Sequence, residues 1–144
     1  MIKQASLFLV INTSVPKKIQ IKLLKREKRI TRNFIFDKLD EKLLPAIIKT
    51  LRDSGLHFEN LSACGVVNDA GSFMTQRVTL ATINTLAWVA KVRAFAIRSV
   101  DFKKLDYAGC LRIINVSKIG IIKPQYSMPP QITKSKKLYD FINS

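Results

Sequence analysis

The chain has 144 residues, 47% of them apolar, enough for one domain with a real core and too few for two ordinary ones. Twenty-five Lys and Arg against ten Asp and Glu give a formal charge of +15, which draws phosphate or acidic protein surfaces and also keeps a small protein soluble. Cys64 and Cys110 lack any C-x-x-C spacing, which fits a reduced cytoplasmic protein, and no stretch approaches the roughly 20 apolar residues that span a bilayer.

Leu7–Ile11 is a short apolar run that breaks into Asn12-Thr13-Ser14. It lacks a small-residue cleavage site and reads as a strand buried on both faces rather than a signal peptide. Ile19–Leu24 and Arg29–Phe36 alternate apolar and polar residues around a charged turn, Lys25–Lys28, so the first three strands form an antiparallel meander. Asp37 is placed to cap a helix. Leu39, Leu43, Leu44, Ile47, Ile48 and Leu51 recur at helical spacing before Gly55 stops it, and Pro45 should kink it or split off its first turn. Leu61–Val67 is a fourth strand. Asn68–Ser72 is a turn whose Ser72 caps a long helix to about Lys91, and Val92–Ile97 is a fifth strand.

The order βββαβαβ predicts an α/β fold, a mixed five-stranded sheet with helices on one face. Residues 1–100 form this unit, and residues 101–144 a reduced C-terminal segment. In that segment Leu111–Val116 and Ile119–Ile122 read as a last hairpin, followed by a tail carrying Pro124, Pro129 and Pro130.

No residue set points to catalysis. His57 is the only histidine and reads as a loop residue beside Phe58, so neither a metal site nor a Ser/His/Asp or Cys/His constellation can be assembled. Asn68–Ser72 leads into a helix N-terminus, which favours anions, but it holds one glycine, and Asp69 repels phosphate. Both helices are apolar over more than one stripe: Leu44 and Ile48 widen the first, Val78, Trp88 and Val89 the second. Such breadth points to a protein partner as well as a core. Lys17, Lys18, Lys22, Lys25, Arg26, Lys28, Arg29 and Arg32 crowd the meander, with Lys134, Lys136 and Lys137 in the tail. They are expected along one side of the sheet rim, without the interleaved aromatic residues of a base-stacking platform. Contact with a phosphate backbone through Lys25, Arg26, Lys28 and Arg29 is expected, without sequence reading.

Four segments carry a resemblance to a known family. Leu7-Phe-Leu-Val-Ile-Asn-Thr-Ser14 resembles the "ILAIDTS" opening of the TsaB (YeaZ-like) proteins, and Leu39–Ile48 resembles their "HSExLLPxI" helix. Asp69–Ala87 aligns without a gap to "GPGSFTGLRIGLATAKGLA", keeping Gly71, Ser72, Phe73, Arg77, Leu80, Ala81, Thr82, Leu86 and Ala87. Lys123–Thr133 resembles the "PxYxRPPxIT" tail of short members, so the resemblance covers nearly the whole chain. It implies an actin/Hsp70-like half-module. It also implies a non-catalytic partner, without cofactor or metal, for a TsaD-like enzyme making threonylcarbamoyladenosine on tRNA. A TsaE-like ATPase is a further implied partner, and the isolated chain is expected to be able to form a homodimer. The implied interface with the TsaD-like subunit comprises Leu44, Ile48, Thr75, Val78, Thr79 and Thr82. The resemblance also implies that the phosphate backbone expected at Lys25, Arg26, Lys28 and Arg29 is that of tRNA.

The departures bear on activity and docking. Asn12 stands where the family has Asp, and an uncharged carboxamide is neither a base nor a strong magnesium ligand. The residue is therefore expected to tie the strand end, and the chain to be no enzyme. Thr75, Thr79 and Thr85 replace glycines of the second helix, Asn84 replaces Lys, and Asp69-Ala70 replaces Gly-Pro. Each threonine adds a branched side chain where a neighbouring helix would approach. A freestanding basic nucleic-acid-binding module on the same fold is the second reading.

Overall fold

The apolar run near the N-terminus becomes the centre of the fold. The computed structural model describes residues 6–116. Its strands are β1 Phe8–Asn12, β2 Lys18–Leu24, β3 Arg29–Ile35, β4 Ala63–Val67 and β5 Arg93–Ile97, ordered β3-β2-β1-β4-β5 in one sheet. β1 pairs antiparallel with β2 and parallel with β4. β2 pairs antiparallel with β3, and β4 parallel with β5. Short turns leave antiparallel neighbours, whereas connections carrying a helix return the chain parallel. All five residues of β1 are buried, which is why that segment cannot afford an alternating pattern.

α1 Leu39–Asp53 and α2 Phe73–Ala90 complete the expected order βββαβαβ. Ser72 caps α2, its hydroxyl accepting the Thr75 N–H. Gly55 closes α1 at φ +72°, a conformation that costs glycine little. Two details of α1 differ from expectation. Lys38, not Asp37, holds the cap position and makes no side-chain cap bond; Asp40 and Glu41 instead place their charge in the first turn, where the helix dipole favours it. Nor does Pro45 split the helix, which runs unbroken past it. Pro45 is exposed, so water can reach the Glu41 carbonyl that loses its intrahelical donor.

Helices cover both faces of the sheet, not one. On the first face Leu9, Ile11, Ile19, Ile21 and Leu23 pack with Leu43, Ile47 and Leu51 of α1 and Leu80, Ile83 and Ala87 of α2. On the second, Phe8, Val10, Leu24, Val67, Phe95 and Ile97 lie under Phe102, Leu105, Cys110 and Ile114. These last come from α3 Ser99–Phe102, the turn after it, and α4 Tyr107–Val116. Residues 111–116 are thus helical, where the sequence reading placed half of a hairpin. The branched run Ile113-Ile114-Asn115-Val116 imitates a strand, but Tyr107, Cys110, Leu111 and Ile114 repeat at three and four and bury one helical side. The boundary expected after residue 100 falls inside α3, and the residues to 114 share the core of the sheet. Ile119–Ile122, the proline-bearing tail and Lys134, Lys136 and Lys137 lie outside the described residues.

Cys64 is buried in the first cluster and Cys110 in the second. Burial pushes both thiols up from 9.0 to about 12, because the thiolate loses its hydration. Above pH 9.0 the unfolded chain therefore gives up these protons first. The stabilisation is complete below that pH and is lost as pH rises toward about 12. Melting temperatures taken across this window should fall less steeply for Cys64→Ala than for the parent chain. Parallel curves would show that Cys64 does not titrate differently on folding.

Candidate functional site

The residues singled out by sequence fall in three places: the end of β1, the outer surface of α1 and α2, and the turn between β2 and β3. At the end of β1 the Asn12 carboxamide is buried and bonded through both its nitrogen and its oxygen. Its Nδ2 donates to Gln20 Oε1 at 2.7 Å, and its Oδ1 accepts the Ser14 N–H at 3.0 Å. It holds the strand end, as expected. Thr79 reaches the same place from α2. Its hydroxyl donates to the Thr75 carbonyl at 2.8 Å, which leaves Thr13 to donate to Thr79 Oγ1 across 2.7 Å. Gly71, at φ +102°, passes so near that an added Cβ would sit 3.2 Å from Ser14 Cα. The Asp69 carboxylate accepts the Ser99 N–H at 2.8 Å and so serves the start of α3. Among the described residues no three His, Cys, Asp or Glu side chains gather to hold a metal ion, and no helix is long and apolar enough to cross a membrane.

This sheet carries α1 and α2 on one face and α3 and α4 on the other. No family model matches the sequence, and no curated protein does so significantly. Among solved structures, YeaZ from Pseudomonas aeruginosa superposes with a TM-score of 0.59 at 20% identity, over 65% of this chain and 44% of that one. A second structure, described as an uncharacterized protein with similarity to peptidase YEAZ from Pseudomonas aeruginosa, gives 0.60 at 19%, over 65% and 43%. The fold is shared with YeaZ. The chain spans under half the length of either structure.

On this YeaZ-like frame α1 and α2 lie side by side, and their outer residues divide unevenly. Leu44 is exposed at 42%. Ile48 is half-buried and borders an open hollow of about 340 Å³ with Leu51, Leu56 and Phe58. Thr75, Val78 and Thr82 are half-buried along one side of α2, and the Thr82 hydroxyl donates to the Val78 carbonyl at 2.8 Å. Val78 packs against the first core cluster, so it is not a purely outward residue. Thr79 is a correction: at 1% exposure it faces the core, out of a partner's reach. Restoring glycine there would loosen α2 from β1 rather than clear a docking surface. The exposed large apolar residues of α2 are Phe73, Met74, Trp88 and Val89. Trp88 and Val89 were legible as an extra stripe; Met74 was not singled out, although it precedes Trp88 by two sevens and so shares its side of the helix.

The cations divide as well. Arg26, Lys28 and Arg29 are exposed and Lys25 half-buried, around a turn closed by Lys25 N–H to Lys28 O at 2.8 Å and the reverse bond at 3.4 Å. Lys17 and Lys18 stand at the opposite end of β2, since Lys18 pairs with Ile35 and Leu24 with Arg29. Seven strand residues span about 20 Å, so the expected single rim is two separate groups. Lys22 belongs to neither. It is 4% exposed, and its ammonium donates to the carbonyls of Phe102, Lys103 at 3.0 Å and Leu105 at 3.5 Å, lying 4.6 Å from the centre of the Phe102 ring. Burial, and then the nearby Arg29, lower its pKa from 10.5.

Proposed function

We propose that this chain is a TsaB-like, non-catalytic partner of a TsaD-like subunit in threonylcarbamoyladenosine modification of tRNA, working in the cytoplasm. The observation that carries the reading is the fold shared with YeaZ, joined to a first-strand end at which Asn12 is spent on Gln20 and Ser14. A carboxamide held in that way offers no charge to a metal or a phosphoryl group. The exposed Leu44, Met74 and Trp88 beside half-buried Ile48, Thr75, Val78 and Thr82 supply an apolar surface for the partner. A TsaE-like ATPase would join through that partner, and the same surface would pair two copies when the chain is alone.

Depletion of the chain in its own cells tests this reading. Nucleoside mass spectrometry of bulk tRNA should show threonylcarbamoyladenosine falling several-fold, with recovery on re-expression; an unchanged level would remove the assignment. One observation favours the second reading, a freestanding nucleic-acid-binding module: the exposed cations of the β2–β3 turn need no protein partner to meet a phosphate backbone.

A further inference from the structure

Two basic segments far apart in sequence are tied to the same strand, β2. The first is the β2–β3 turn with Lys25, Arg26, Lys28 and Arg29. The second is the turn between α3 and α4, where Lys103 and Lys104 are both exposed. What joins them is Lys22. It sits on β2 opposite Thr31, two residue pairs inside Leu24 and Arg29 and so on the same side of the ladder. From there its buried ammonium grips the carbonyls of Phe102, Lys103 and Leu105. Carbonyls at a helix end want a donor, and a cation enclosed with them is held in one geometry. Lys103 and Lys104 are therefore held on β2, the strand that leads into the turn.

The acids nearby are fewer than the cations, although the Asp106 carboxylate keeps its charge and acts on Lys22. Asp101 is paired with Arg98 at 2.9 Å, and one oxygen of Asp106 accepts the Gly109 N–H at 2.8 Å. Glu27 is the only acid within the β2–β3 turn.

We propose that Lys25, Arg26, Lys28, Arg29, Lys103 and Lys104 form one composite surface that binds the phosphodiester backbone of RNA, with Lys22 as the residue that positions its second half. The RNA commitment rests on the proposed function, and two observations favour it over an anionic membrane. The cations come from two rigidly joined segments, which suits a strand of phosphates. No large apolar residue of the β2–β3 turn is available to insert among lipid tails, as an interfacial segment would need. Recognition is by charge alone and reads no bases.

The test is fluorescence anisotropy of the full chain with an unmodified tRNA transcript across a salt series. It requires no protein partner, so its failure is distinct from failure of the partner assignment. Lys103→Ala with Lys104→Ala should lower the slope of log affinity against log salt by about 1.4 to 1.8, as expected for two lost phosphate contacts. The matched control is Lys38→Ala with Arg77→Ala. Lys38 precedes α1 and Arg77 lies in the second turn of α2, both exposed and both at the opposite end of the sheet. This pair should change the slope far less. Lys22→Met should mimic the Lys103 and Lys104 pair only in part, with Lys103 and Lys104 still present but no longer held. Equal losses from both double variants would show binding by net charge alone and overturn the composite surface. So would binding to phosphatidylserine vesicles without binding to the transcript.

Discussion

Replacing Gly65 by valine should destabilise the chain by about 3 kcal/mol, the upper end for overpacking a closed core. Gly65 lies in β4 between Val10 of β1 and Phe95 of β5. The Phe95 ring lies over it: a Cβ built there would come within 2.3 Å of the ring's Cζ and 2.4 Å of Cε2. That ring is 1% exposed, so it has no solvent-facing rotamer to retreat into. A domain of this size has on the order of 5 to 15 kcal/mol in total, so denaturant midpoints should move far. A double-mutant cycle identifies the cause. Gly65→Ala and Phe95→Leu are each expected to destabilise, one by contact and one by a cavity. Combined, they should cost less than their sum, since the shorter side chain makes room for the methyl group. Strict additivity would mean that the ring does not occupy the space over Gly65.

Leu44→Asp should leave the chain folded and abolish association with the proposed TsaD-like partner. Leu44 is exposed on α1 and is no member of either buried cluster. In the free chain an aspartate there stays hydrated and costs only the difference in helix propensity, about 0.5 kcal/mol. Enclosed at an interface, the same unpaired carboxylate costs several kcal/mol, on the order of a thousandfold or more in affinity. Val78 is the poorer site for this test, because it packs on the core and a charge there would disturb folding and docking together. An unchanged melting curve with unchanged partner affinity would take this face out of the interface.

Much of the fold was legible because its signals are local. The buried run at β1, the alternation in β2 and β3, and the Ser72 cap each depend on residues within a few positions. What sequence alone did not reveal depends on contacts across the chain. Lys22 reads as one more exposed cation of a basic meander, and only the placement of α3, some 80 residues later, turns it inward onto three carbonyls. Thr79 reads as an obstruction on the outside of α2, because nothing in its neighbourhood announces Thr13 as its partner. α4 reads as a strand because branched residues dominate Ile113–Val116, until burial of Cys110 and Ile114 selects the helical period. The site divides in the same manner. Leu44 and Trp88 were visible as apolar residues beyond what the core requires, whereas the anchoring of the Lys103–Lys104 segment on Lys22 was invisible without the topology.

The most direct test is an isothermal titration of the full chain into the TsaD-like protein of the same genome. A saturable one-to-one complex that Leu44→Asp abolishes is the expected result. A parent chain that is folded by its melting curve, binds the tRNA transcript, and shows no affinity for that protein would contradict the partner assignment and leave the nucleic-acid-binding module in its place.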